Sequence, residues 1–129
     1  MSAYAPPALN AYRESAVLTA SPEQLVVMLY DGAHRFLTQS AVAMRDGRVA
    51  LAGEKLRRAE AIIDELLATL DMSVGEIAER LQALYVFFKE HLSSARLEQN
   101  ADKVDDVARF MGELRAAWAG IAGAGEPTA

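Results

Sequence analysis

Ser21-Pro22-Glu23-Gln24-Leu25-Val26-Val27-Met28-Leu29-Tyr30 is the stretch whose reading decides the fold. The Ser21 hydroxyl can accept a hydrogen bond from the Gln24 backbone, and Gln24 can reach back to Ser21, which makes a capping box. Pro22 takes the first helical position, where its missing N–H loses nothing. Beyond it, Leu25, Leu29, Ala33, Phe36 and Met44 fall on one helical stripe, and Asp46-Gly47 supplies a turn that tolerates positive φ. A long helix is the expectation, ending near that turn.

Working outward, the same signals recur three times. Leu56, Ala59, Ile63, Leu66, Leu67 and Leu70 form a second stripe, ending at Asp71-Met72. Ser73-Val74-Gly75-Glu76 reads as another capping box, opening a run of Ile77, Leu81, Leu84, Tyr85, Phe88, Leu92 and Ala95. Asn100 is the expected cap of a last helix, with Asp102, Asp105 and Asp106 near its positive end and a stripe of Val104, Val107, Met111, Leu114 and Trp118. Each helix would be about 30–37 Å long at 1.5 Å per residue. Short links between equal helices make neighbours antiparallel. The reading is therefore all-α, an antiparallel up-down four-helix bundle over residues 21–122. Residues 1–20, with Pro6-Pro7 and the apolar Tyr4, Leu9, Tyr12, Val17 and Leu18, are expected as a loosely attached N-terminal segment, a partly ordered cap. Residues 123–129 are expected to be a disordered tail.

Composition agrees with that class. The chain has 129 residues, 25 of them Ala, against 8 Gly and 4 Pro, and Ala, Leu, Glu and Arg lose little rotamer freedom in helices. A net charge of −5 argues against a nucleic-acid footprint, which wants clustered Lys and Arg. The absence of Cys removes disulfides, thiolate metal sites and cysteine nucleophiles. No apolar run reaches the ~18 residues of a membrane helix, and Met1 to Asn10 lacks a signal-peptide pattern. A soluble cytoplasmic domain is expected.

Motifs for chemistry are sparse. Asp31-x-x-His34 faintly resembles one step of a di-iron carboxylate bundle, but such sites need two of these motifs and two further carboxylates, and His34 falls opposite the core stripe. A histidine phosphotransfer bundle wants His-x-x-Lys-Gly, whereas His34 precedes Arg-Phe-Leu-Thr and His91 precedes Leu-Ser-Ser-Ala. Glu60, Asp64 and Glu65 read as surface acids paired with Lys55, Arg57 and Arg58. There is no nucleophile elbow and no phosphate loop. The expectation is no enzyme, no cofactor and no metal.

Surplus apolar surface is what remains. Val86 lies opposite the third stripe and Phe87 off its edge, while Val27 and Val42 project away from the first. Helices this apolar around their circumference either contact further protein or are buried in an oligomer, and a helix laid in a groove is the fitting mode. Residues alone lead to a helical binding module for an unspecified client.

Tyr12-Arg13-Glu14-Ser15-Ala16-Val17-Leu18-Thr19-Ala20-Ser21-Pro22 resembles the opening of the flagellin-specific export chaperones, the FliS family. Leu25-Val26-Val27-Met28-Leu29-Tyr30-Asp31-Gly32 resembles the family's L-x-x-M-L-Y-[DN]-G block. Ala59 to Leu66 with Leu70-Asp71, then Leu84-Tyr85 and Leu114-Arg115-x-x-Trp118, are similar to its later landmarks. The likeness covers about residues 12 to 120; the first eleven residues depart from the usual Asn-Pro-Tyr opening. The resemblance implies a cytosolic four-helix bundle that binds the disordered C-terminal segment of flagellin in apolar grooves, where the segment becomes helical. It implies a block on premature polymerisation and handover to the cytoplasmic domain of the flagellar export gate. It also implies that the N-terminal segment can lie over the empty groove, and it leaves open a homodimer of the client-free chaperone. The alternative is a helical adaptor for another secreted client. Tyr12, Val17, Leu18, Val27, Tyr30, Val86 and Phe87 are the expected partner-binding residues. Gly32 is open between close helix packing and client contact, whereas Ile62, Ile63 and Leu66 belong on or beside the core stripe.

Overall fold

Four helices form where the capping and apolar patterns place them, with one start displaced. The computed structural model describes residues 20–125, with side chains to residue 120. Helix α1 (Pro22–Arg45) begins at the expected capping box: the Gln24 N–H donates to Ser21 Oγ at 3.1 Å and the Ser21 N–H to Gln24 Oε1 at 2.8 Å. At its far end Gly47 turns at φ 73°, its N–H donating to the Met44 carbonyl and the Arg48 N–H to that of Ala43. This is a Schellman closure, in which a left-handed residue satisfies the last carbonyls.

Helix α2 (Val49–Thr69) follows at once, and Leu70 ends it in extended backbone. The second expected capping box does not form. Ser73 is held instead by Asp71, whose carboxylate accepts from the Ser73 N–H at 3.0 Å and from its hydroxyl. A short 3₁₀ turn (Met72–Val74) thereby uses up the residues before Gly75. Gly75, at φ 83°, becomes the N-cap of α3 (Glu76–Glu98), with no side-chain cap bond. Asx chemistry two residues ahead outcompetes the Ser73 cap. Helix α3 ends on Gln99 in the left-handed region, and Asn100 then accepts from the Lys103 N–H at 3.2 Å to cap α4 (Ala101–Gly125).

Each helix packs on its two neighbours in a square, α1 on α2 and α4, and α3 on α2 and α4. The α1 contacts are the more extensive, so α3 is the more thinly seated member. Between the helices lie Tyr30, Leu37, Leu56, Ile63, Tyr85, Phe88, Leu92, Val104, Val107 and Met111, all fully buried and interleaved with small Ala33, Ala41, Ala52, Ala59 and Ala95. Ser40 is buried and donates to the Ala52 carbonyl at 2.8 Å. Truncating one of the large members to Ala costs roughly 2–5 kcal/mol.

The α1 stripe is wider than the spacing suggests, because α1 faces α2 and α4 together. Tyr30, Leu37 and Ala41 are buried, while Leu25 remains 36% exposed and Phe36 half-buried. Gly32 is buried against α2, with the Ile62 Cδ1 atom 3.1 Å from where a Cβ would stand. Its role is close packing. Glu60 and Asp64 do not pair within α2; they reach across to Arg96 and Lys89 on α3. Arg115–Asp31 at 2.7 Å and Arg45–Asp105 at 2.6 Å bridge α4 to α1.

Candidate partner-binding groove

One end of the bundle does not close. The start of α1, the end of α2, the 3₁₀ turn and the start of α3 splay around a groove of about 350 Å³. Its walls are Leu25, Val26 and Leu29 from α1, Leu66 and Leu70 from α2, and Val74, Ile77 and Leu81 on the α3 side. Tyr85 and Trp118 line the same space. The Asp71 turn and the positive-φ Gly75 connect α2 to α3 beside the groove, which Asp71 and Val74 help to line. Ile77, expected in the core, is 68% exposed here, and Val74 is 61% exposed. Large aliphatic side chains in that state have apolar area still to bury, at about 25 cal/mol per Å².

Polar side chains in the groove are few, and of them Thr69 donates to the Leu66 carbonyl. Behind the floor, the Tyr30 and Tyr85 hydroxyls share a hydrogen bond. Burial pushes both phenols above their ordinary range, so both are neutral donors and acceptors at physiological pH. At the rim, the hydrogen bonds from Ser73 hold the Asp71 carboxyl below the usual carboxylate value. Among the described residues no group of His, Asp and Glu gathers to hold a metal ion. His34 lies exposed beside Gly112, and His91 stacks on Phe87 with its Nε2 3.3 Å from Asp106. Among the described residues the groove lining is mainly aliphatic and aromatic.

The expected partner-binding residues disperse in the structure. Tyr30 is wholly buried, and its hydroxyl hydrogen-bonds that of Tyr85, which lines the groove. Val27 is half-buried, and Val86 and Phe87 are 44% and 45% exposed on α3, outside the groove lining. Tyr12, Val17 and Leu18 lie outside the described residues. The groove residues themselves were passed over because each sits on or beside a core stripe. The signal that finds them is the apolar Met72-x-Val74 link between two helices, where a turn is ordinarily polar.

Comparison with known proteins settles the lineage. A family model described as "Flagellar protein FliS" matches residues 5–125. The chain belongs to the FliS family. It is 39% identical over 107 residues to the flagellar secretion chaperone FliS of Salmonella typhimurium, covering 81% of this chain and 79% of that one. To the FliS of Campylobacter jejuni it is 37% identical over 112 residues, 86% and 88% of the two chains. To that of Bacillus subtilis it is 30% identical over 109 residues, 84% and 81%. FliS proteins are secretion chaperones of flagellum assembly, not enzymes. None of the described helices is long and apolar enough to cross a membrane.

Proposed function

We propose that this chain is a cytosolic flagellin chaperone and that the open groove receives part of the disordered C-terminal segment of flagellin, which turns helical as it binds. The observation that carries this reading is the ring of exposed aliphatic side chains, Leu25, Val74 and Ile77, around the Tyr85–Trp118 floor, in a chain of the FliS family. Val86 and Phe87 extend the apolar surface along α3 for a longer client. Occupancy covers flagellin residues that would otherwise polymerise, and the complex is then delivered to the cytoplasmic domain of the export gate. Residue 20 enters α1 beside Pro22 and Glu23 at the groove mouth, within reach of a short upstream segment. The family resemblance is what supports the further proposal that Tyr12, Val17 and Leu18 lie over the groove when no client is present.

Light scattering of flagellin polymerisation tests this. An equimolar amount of the chaperone suppresses filament growth, and Ile77→Asp, which adds a charge at the rim without touching the core, removes the suppression. Full suppression by the Ile77→Asp variant would place the client elsewhere.

A further inference from the structure

Eight of the Lys and Arg side chains between residues 20 and 120 pair with a carboxylate, on every helix of the bundle. The four that have no carboxylate partner among the described residues are Arg35, Arg48, Lys55 and Arg57, and all lie on α1, α2 or the turn between them. In a chain with 18 acids and 13 bases, such a gathering is not dictated by supply.

Their arrangement is specific. Arg35, Lys55 and Arg58 stand 5.5, 5.7 and 5.7 Å from the centre of the half-buried Phe36 ring. Of the three, only Arg58 has an acid to hand, Glu54 at 3.2 Å. Each cation is favoured over the ring face singly, but three around one ring repel one another. Beside them a second groove of about 470 Å³ runs toward the α1–α2 turn, between Gln39 and Val42 on one side and Leu51 and Lys55 on the other. Val42 is 55% exposed in it, Arg48 closes its end, and Asp46 is the single acid in its lining.

This face lies at the opposite end of the α1–α2 pair from the open groove, which uses the start of α1 and the end of α2. We propose that it docks an acidic amphipathic segment of a second partner protein, its carboxylates meeting Arg35, Arg48 and Lys55 and an apolar anchor entering between Val42 and Leu51. The apolar floor and the small number of cations favour a peptide over a nucleic acid, whose backbone needs a longer basic stripe and meets repulsion from a net −5 chain. Such a surface sets association rate and salt dependence more than final affinity.

Fluorescence anisotropy with three labelled probes decides it: a helical 14-residue Leu/Glu peptide, its Leu/Lys counterpart, and a 20-base-pair DNA duplex. The expected result is binding of the Leu/Glu peptide at least tenfold tighter than either other probe, weakening with added salt. Arg35→Glu with Lys55→Glu, both at the surface, abolishes that preference while Ile77→Asp leaves it intact. A flagellin C-terminal peptide titrated into the same double variant keeps its wild-type affinity. Equal binding of the two peptides, preference for DNA, an unaffected double variant, or loss of flagellin binding in it would each overturn a separate acidic docking face.

Discussion

Tyr30 and Tyr85 show how one hydrogen bond can organise a binding surface from beneath. Tyr85 lines the groove, Tyr30 is buried behind it, and their shared bond fixes the ring that a client would touch. Both phenols have pKa values raised by burial. A raised folded pKa means that their contribution is whole below the unfolded value of about 10 and is lost as pH climbs past it. Absorbance at 295 nm should accordingly report these two phenols ionising only as the bundle unfolds in alkali, and replacing both by Phe should move that unfolding to higher pH. At neutral pH, Tyr85→Phe alone should cost about 0.5–1.5 kcal/mol in urea unfolding, the ordinary net value of a hydrogen bond. Position on a helical wheel did not reveal Tyr30 as core, because the buried arc of α1 spans two partners and a single stripe describes only one.

At the scale of elements, the helix boundaries were legible wherever local chemistry decided them alone. The Ser21–Gln24 box and the Asp46-Gly47 stop stand as read. Ser73 failed because Asp71, two residues upstream, binds the same hydroxyl and N–H. The two serines should thus behave differently. Ser21→Ala should lower stability by about 1 kcal/mol, as N-cap removals do, while Ser73→Ala should leave α3 nearly untouched. Gly75→Ala should be costlier than Ser73→Ala, by about 1–2 kcal/mol, because φ 83° strains any residue with a Cβ. Thermal unfolding of the three variants side by side checks the ranking. The groove was not legible at this scale, since its lining comes from several elements together and not from any one stripe.

For the whole molecule, the core residues among the described ones all follow the capping box of α1. Deleting residues 1–17 should therefore leave a cooperative thermal transition and nearly full helical circular dichroism. Loss of cooperativity would make the N-terminal segment part of the core. The all-α class and the antiparallel order were readable because spacing, caps and short links all pointed the same way. Which apolar side chains stay exposed was not, because exposure of Ile77 and burial of Tyr30 are settled only when four helices are packed together.

Within the intact chain, Tyr12→Ala should hold flagellin affinity equal or raise it. A groove covered by its own N-terminal segment binds its client less well by the fraction of molecules that are open. A tenfold loss, about 1.4 kcal/mol, would instead make Tyr12 a direct client contact.

The central claim is that a disordered flagellin segment folds into the apolar groove at the α1–α2–α3 end. Ordering such a segment costs about 1–2 kcal/mol per residue, which only extensive apolar burial offsets. Calorimetric titration with a flagellin C-terminal peptide at several temperatures tests this most directly. The account predicts a strongly negative heat-capacity change, little dependence on salt, and at least tenfold weaker binding by Ile77→Asp. A heat-capacity change near zero, with Ile77→Asp binding as tightly as the wild-type chain, would contradict it.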